Sequence, residues 1–285
     1  MASLRQIKRR MKSVENIHEI TAAMEMIAAF RFKKAEGRFS RSRAYLVELE
    51  KLVSNVSSAV SDIQDPLFEK REVKKKALVV MTGDKGLCGA YNVNLLREAM
   101  RWQKAQTVPV CFIPVGKVGN EFFKKRRAET PLAYPEKSGA DLALAQKLTN
   151  ELKQLFLSGA VDAVDILYTN FKVGGTGRIL TVPFLPLNYL LEGKKEGADA
   201  SDYIAEPDFA SLFITLLKKF TEGKAFLLLL ESLTSEYAAR MVAMKQATVN
   251  GEEVLDDLKL LKNKTRQATI TRELSEIVAG ASILV

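Results

Sequence analysis

The sequence has 285 residues, 47% of them hydrophobic, and a formal net charge of +9. This composition excludes a disordered tail, and the excess of positive charge predicts acidic surroundings such as nucleic acid, anionic lipid or an electronegative protein surface. With one histidine and two separated cysteines, the chain lacks the residues for a Ser-His-Asp or Cys-His catalytic system, a disulfide framework or a zinc cluster of the usual spacing.

Proline and glycine positions divide the chain into three parts. All eight prolines lie between Pro66 and Pro207, and only four of the sixteen glycines lie outside that interval. Because helix interiors disfavour both residue types, this distribution predicts two long helical arms around a central domain. We expect an N-terminal coiled-coil helix over residues 1–60, a central α/β domain over 74–190 and a C-terminal coiled-coil helix over 208–285.

The first arm has apolar residues at spacings of three and four, which is typical of a helix with an apolar seam. The predicted seam consists of Leu4, Ile7, Met11, Val14, Ile17, Ile20, Met24 and Ile27, then Tyr45, Leu46, Leu49, Leu52, Val53 and Val56. Residues 1–43 also contain eleven lysines and arginines against four acidic residues. The arm therefore combines an apolar seam with a positive face.

The central part alternates between two patterns. The β-branched apolar runs Ala77–Met81, Val108–Val115, Val161–Tyr168 and Ile179–Leu187 predict buried strands, and stretches 92–105, 116–126 and 140–157 predict helices. Alternating strands and helices indicate a small Rossmann-like α/β layer domain with a partly parallel sheet.

The segment Gly83–Gly89 (GDKGLCG) lies between a predicted strand and a predicted helix, where a phosphate-binding loop would lie. A Walker A loop requires Lys-Ser or Lys-Thr after its last glycine, whereas Ala90 and Tyr91 follow here. We interpret the segment as a structural turn and expect no catalytic residue, metal site or cofactor.

The second arm has apolar or small residues in alternating steps of four and three, which is the spacing of a coiled-coil seam. They are Tyr237, Met241, Met244, Thr248, Gly251, Leu255 and Leu258, with a narrow middle at Thr248 and Gly251. The arm ends in an apolar tip from Leu274 onward. Because neither arm is stable as one exposed helix, we expect the two to pair antiparallel.

Two kinds of partner fit these arms. A basic rod with an apolar tip suits insertion into a protein sleeve, whereas a basic coiled coil could also bind nucleic acid or a membrane surface. An ATP-binding enzyme is a third, weaker alternative. The longest apolar run, Ala225–Leu230, is too short to cross a membrane, and the basic N-terminus lacks the apolar core of a signal peptide.

Four segments carry a family resemblance. Residues 20–29 (ITAAMEMIAA), 83–89 (GDKGLCG), 236–244 (EYAARMVAM) and 263–280 (NKTRQATITRELSEIVAG) resemble the signatures of the F-type ATP synthase gamma subunit. Thr265 and Arg272 depart from the residues most common in that family. The resemblance implies a non-catalytic rotor shaft, a bent antiparallel coiled coil inside a ring of alpha and beta subunits, with the middle domain on the c-ring beside the epsilon subunit.

The resemblance also implies contact residues and a location. Met24, Arg240, Gln267, Thr271 and Glu273 would face the moving catalytic subunits, and Ile283 and Leu284 would lie in the bearing at the tip. The expected location is the cytoplasmic side of a bacterial cell membrane, as a peripheral subunit that binds no nucleic acid. The absence of a targeting leader favours a bacterial source.

Overall fold

The computed structural model describes residues 3–59, 65–69, 71–137, 139–172, 177–192 and 208–283. Two long helices lie at the ends of the chain, and a four-stranded sheet with shorter helices lies between them. The elements are α1 (Leu4–Ala59), a 3-10 turn (Pro66–Phe68), β1 (Lys76–Met81), α2 (Tyr91–Ala105), β2 (Val110–Val115), α3 (Lys117–Lys125), α4 (Leu142–Leu157), β3 (Ala163–Thr169), β4 (Ile179–Leu185), α5 (Tyr189–Glu192) and α6 (Phe209–Ile283).

The sheet confirms the predicted partly parallel arrangement. Its strand order is β2-β1-β3-β4; β1 pairs parallel with both of its neighbours, and β4 pairs antiparallel with β3. Pro114 and Pro183 lie in β2 and β4, the two edge strands, where a missing amide hydrogen is tolerated. The predicted last strand is two residues too long, because β4 ends at Leu185, immediately before Pro186.

Helices cover both faces of this sheet. Leu78, Val80, Phe112 and Leu167 pack with residues of α2 and α3 on one face. On the other face, Val79, Ile113 and Ile166 belong to one core together with α4, α1 and α6. Burial on both faces explains why β1 and β2 are continuous apolar runs rather than alternating ones. The prediction that the last strand is buried is wrong for most of its length, because β4 lies at the edge of the sheet and only Phe184 and Leu185 are buried in it.

The chain divides into two compact units. Unit 2 is Phe30–Ala239 and contains the sheet; unit 1 is Met1–Ala29 with Arg240–Val285. Within unit 2, α1 and α6 lie side by side, since a Cβ built on Gly223 would be 3.2 Å from Leu46 Cδ1. The predicted division into segments 1–60, 74–190 and 208–285 remains a prediction.

Unit 1 is an antiparallel pair of helix segments. The Thr248 hydroxyl donates to the Thr21 hydroxyl at 3.0 Å, and a Cβ on Gly251 would be 3.5 Å from His18 Cβ. Later residues of α6 thus meet earlier residues of α1. The predicted α6 seam is confirmed, because every member from Met241 to Leu258 is buried or half-buried while their neighbours are mostly exposed.

The predicted α1 seam is partly wrong. Ile17, Ile20 and Ile27 are 54%, 58% and 54% exposed, whereas His18 and Thr21 lie in the helix contact. In the later part of α1, Leu46, Leu49, Val53 and Val56 are buried as predicted, but Tyr45 and Leu52 are exposed. From Met11 to Ile20 the predicted set takes three successive steps of three residues. Nine residues place Ile20 roughly 180° around the helix from Met11, on the opposite face. The actual seam keeps alternating steps of three and four and therefore includes polar residues.

Candidate functional site

The residues predicted to contact partners all belong to unit 1. Met24 on α1 and Arg240 on α6 are half-buried, and Gln267, Thr271 and Glu273 are exposed on α6. Ile283 is the last residue of α6, but its side chain lies outside the described part of the chain, as does Leu284 entirely.

The three exposed α6 residues do not share one surface. Gln267 and Thr271 are one turn apart, and the Thr271 hydroxyl donates to the Gln267 carbonyl at 3.0 Å. Glu273 is two positions further, or roughly 200° around the helix. A partner on one side of α6 therefore meets Gln267 and Thr271 together but not Glu273.

An apolar stripe on α1 extends the candidate surface. Ile17, Ile20 and Ile27, more than half exposed, lie on one helix face with Met24 because they are three, four and three residues apart. Sequence reasoning singled out these isoleucines but assigned them to the helix seam. The stripe is instead available for contact with another protein.

The α6 end is a second apolar surface. Leu274, Ile277 and Val278 are 58%, 68% and 67% exposed. An exposed apolar tip was predicted, and the described part of the helix end agrees with it. Contiguous exposed apolar side chains of this kind are typical of protein contact sites.

Unit 2 contains a buried polar cluster that sequence reasoning missed. We call it the Lys137 cluster: Thr82, Gly83, Asp84, Lys137, Ser232 and Glu236. The Lys137 ammonium donates to Ser232 Oγ at 3.0 Å and to the Thr82 carbonyl at 3.3 Å, and lies 3.5 Å from Glu236 Oε2. Lys137 is 1% exposed and Glu236 4%. Removing one partner of such a buried pair typically costs about 3–5 kcal/mol.

The side chain of Asp84 holds the turn after β1 to the segments that carry Lys117 and Lys137. The Asp84 carboxylate accepts from the amides of Lys137 at 3.0 Å and Lys117 at 3.2 Å. A Cβ on Gly83 would be 2.8 Å from Glu236 Cδ, so any larger residue there would force the Glu236 carboxylate to shift. The GDKGLCG segment thus has a structural role in the contact between the sheet and α6.

Tyr91 completes the contact from α2. Its hydroxyl donates to the Ser232 carbonyl at 2.9 Å. Burial, and secondarily the negative charge of Glu236, raises the pKa of Tyr91 far above its ordinary value, so the phenol stays protonated. Sequence could have hinted at this cluster only through the polar Thr82, Ser232 and Glu236 beside long apolar runs.

Within the described ranges, no group of three or more His, Cys, Asp or Glu side chains could hold a metal ion. Among the same residues, no helix is both long and apolar enough to cross a lipid bilayer.

The chain combines an antiparallel pair of helix segments that have exposed apolar surfaces with a sheet that is covered by helices on both faces. These features define a class of helical subunits that contact other proteins. The family model described as ATP synthase matches residues 3–284. The chain is 37% identical over 285 residues to the ATP synthase gamma chain of Moorella thermoacetica and 35% to that of Desulfitobacterium hafniense, with 100% of each chain covered. The chain belongs to the ATP synthase gamma chain family.

Solved structures share the fold. A chain of the Euglena gracilis mitochondrial ATP synthase OSCP/F1/c-ring, in rotational state 3, matches with a TM-score of 0.70 and 17% identity, over 99% of this chain and 94% of that chain. A chain of the Tetrahymena thermophila mitochondrial ATP synthase central stalk and c-ring matches with a TM-score of 0.60 and 22% identity, over 80% and 99%.

Proposed function

We propose that the chain is the central rotor shaft of an F-type ATP synthase, a non-catalytic subunit that transmits torque between the membrane c-ring and the catalytic alpha/beta ring during proton-driven ATP synthesis. The observation that carries this proposal is the full-length relationship to gamma chains. The antiparallel helix pair of unit 1, with its exposed apolar stripe and tip, supports it.

The mechanism is differential binding. A shaft with unlike faces presents a different surface to each of several equivalent catalytic subunits, so each subunit is held in a different conformation, and turning exchanges them. Shifting a two-state subunit from 1:99 to 99:1 requires about 5.5 kcal/mol of differential interaction. Gln267 and Thr271 on one side of α6, and Glu273 on another, are consistent with such unlike faces.

The partners follow from this role. Alpha and beta subunits would contact Met24, Arg240, Gln267, Thr271 and Glu273. The bearing at the tip would contain Ile283 and Leu284. The sheet domain would contact the c-ring and the epsilon subunit. The chain would be a peripheral part of a membrane complex. The gamma chains of Moorella thermoacetica and Desulfitobacterium hafniense support a bacterial source, for which the proposed location is the cytoplasmic side of the cell membrane.

Direct observation of rotation tests the proposal. In a complex reconstituted with alpha and beta subunits and fixed by the ring, a bead would be attached through Thr107→Cys, an exposed position between α2 and β2. Both native cysteines, Cys88 and Cys111, are buried, which favours labelling at position 107. We expect ATP to drive unidirectional rotation in three equal steps per turn. Normal ATP hydrolysis with only diffusive bead motion would refute the rotor function.

The positive charge favours one other candidate, a basic coiled coil that binds nucleic acid or a membrane surface. That function requires the isolated chain to bind duplex DNA or anionic vesicles with an affinity that falls steeply as salt rises. A rotor shaft binds specifically to alpha and beta subunits, and the isolated chain is not expected to bind DNA or vesicles in this way. Binding assays on the isolated chain at two salt concentrations separate the two functions.

A further inference from the structure

The Lys137 cluster joins α6 to three other parts of unit 2. Thr82 follows β1, Gly83 and Asp84 form the turn, and Lys137 lies in the segment before α4. Ser232 and Glu236 are one helical turn apart on α6, and both contact the same ammonium group. The Ser232 hydroxyl also donates to the Met81 carbonyl at 3.2 Å. One helix face is thus bonded to the end of the central strand.

Three further hydrogen bonds of α6 in unit 2 are less buried than those of the Lys137 cluster: Glu222 accepts from Gln146, Glu231 accepts from the Phe171 amide, and Lys224 donates to the Pro183 carbonyl. The fully buried contacts of α6 are otherwise mainly apolar. Leu229, Leu230, Leu233 and Phe220 belong to the apolar core beside the sheet. Burial of apolar surface is non-directional, so its free energy changes little for a small rotation of the helix that keeps the same side chains buried. Hydrogen bonds weaken steeply when their angles change. The Lys137 cluster therefore supplies directional contacts that apolar packing lacks.

Stability alone does not explain a charged pair at this position. Replacing a buried ion pair with apolar side chains of similar volume is often neutral or stabilising, because two charges are no longer removed from water. Directional polar contacts instead specify a single arrangement of the elements that they join. The fully buried position and the multiple partners of Lys137 fit this second role.

We propose that Lys137 and Glu236 are positioning residues that fix the rotation of α6 about its own axis relative to the sheet. Torque applied to the sheet domain is then transmitted to α6 without rotation of the helix against the sheet. The inference rests on the proposed rotor function. It assigns a large share of the rotational stiffness of the contact between the sheet and α6 to this buried cluster, in which Ser232 orients the ammonium group of Lys137.

The experiment compares stiffness with stability. In the bead assay with the Thr107→Cys handle, the double variant Lys137→Met/Glu236→Met replaces the charged pair with apolar side chains of similar length. We expect the angular variance of the bead during each catalytic pause to rise above that of the unsubstituted pair, while the thermal unfolding temperature of the isolated chain does not fall. The matched control is Lys75→Met/Glu129→Met, which removes a more exposed ion pair of unit 2 that does not involve α6 and should leave the variance unchanged.

Each outcome decides the inference. A double variant that pauses with unchanged variance overturns it, and so does an equal rise in the control. If the double variant does not assemble, Ser232→Ala removes one hydrogen-bond partner of Lys137 and keeps the ion pair. A variance above that of the unsubstituted chain then supports the inference, and an unchanged variance overturns it. Absence of rotation in the chain with both pairs intact contradicts the proposed function instead.

Discussion

Gly83 is the residue at which the turn after β1 comes closest to α6. Alanine there would place its Cβ 2.8 Å from Glu236 Cδ, so the carboxylate must shift, and this shift disturbs its 3.5 Å contact with Lys137. We expect Gly83→Ala to lower the free energy of unfolding by about 1–3 kcal/mol, as overpacking does in buried sites. Urea denaturation of the isolated chain measures it.

Gly37 is the control for this substitution. It lies within α1, and a Cβ there would meet nothing within 4 Å. Gly37→Ala should therefore raise the free energy of unfolding by about 0.5–1 kcal/mol, because alanine favours helix. Equal effects of the two substitutions would show that Gly83 is not required by the close approach of Glu236.

Arg240 tests the predicted contact surface at the level of one side chain. It is half-buried at the point where α6 enters unit 1. We expect Arg240→Ala to reduce ATP hydrolysis by the reconstituted complex by up to about tenfold, equivalent to about 1.4 kcal/mol, with the helix content unchanged. Circular dichroism and ATPase assays measure the two effects. Loss of helix content with normal activity of the remaining folded complex would make Arg240 a structural residue only.

At the scale of elements, the pairing of α1 with α6 in unit 1 depends on small residues facing polar ones. Gly251 lies against His18, and Thr248 bonds to Thr21. An alternating step of three and four keeps both sets in contact along an antiparallel pair. The isoleucines that leave this alternation are the ones that become exposed.

Substitutions at Gly251 test how closely α1 and α6 approach each other in unit 1. A Cβ there would be 3.5 Å from His18 Cβ, an ordinary van der Waals distance. Gly251→Ala should stabilise the chain by up to about 1 kcal/mol through helix propensity. Gly251→Leu should destabilise it by about 1–3 kcal/mol, because the extra atoms force the helices apart. Guanidinium denaturation distinguishes them; stabilisation by both would indicate an open contact.

Lys224 on α6 predicts a pH dependence of the contact with β4 and α5. Its ammonium lies 3.9 Å from the centre of the Tyr189 ring and donates to the Pro183 carbonyl at 3.3 Å. Burial, opposed by the negative charge of Glu50, lowers the pKa of Lys224 from 10.5 to about 8. Between these values the unfolded chain holds a proton that the folded chain has lost, so this group makes stability rise with pH.

The Lys224→Met variant should lack this rise. Its free energy of unfolding relative to the parent chain should be highest below about pH 8 and should fall as the pH approaches 10.5. Denaturation at a series of pH values measures the difference. Lys219→Met, which removes an exposed lysine from the same helix, is the control. A difference independent of pH would show that the pKa of Lys224 is not lowered by folding.

At the scale of the whole molecule, the proposed role requires no nucleotide chemistry from this chain. The turn that resembles a phosphate loop uses its polar groups internally: the Gly83 amide donates to Asn92 Oδ1 at 2.8 Å, and Asp84 accepts from two backbone amides. We expect the isolated chain to give no binding isotherm with magnesium-ATP in calorimetry. Stoichiometric binding at micromolar affinity would contradict this expectation and favour an ATP-binding function.

Periodicity determined much of this protein directly. The long terminal helices, the strands to within about two residues and the α6 seam all follow from local spacing, because helices and strands repeat at fixed intervals. The family motifs identified the gamma chain relationship, and the matched relatives confirm it. The contact residues from Met24 to Leu284 remain predictions.

Tertiary structure decided what spacing could not. Ile17, Ile20 and Ile27 satisfy a helical pattern as well as the true seam does, and only the partner helix determines which face is covered. The Lys137 cluster joins residues up to 154 positions apart, from Thr82 to Glu236. A buried lysine cannot be recognised in sequence, because its charge is compensated by groups that only folding brings together.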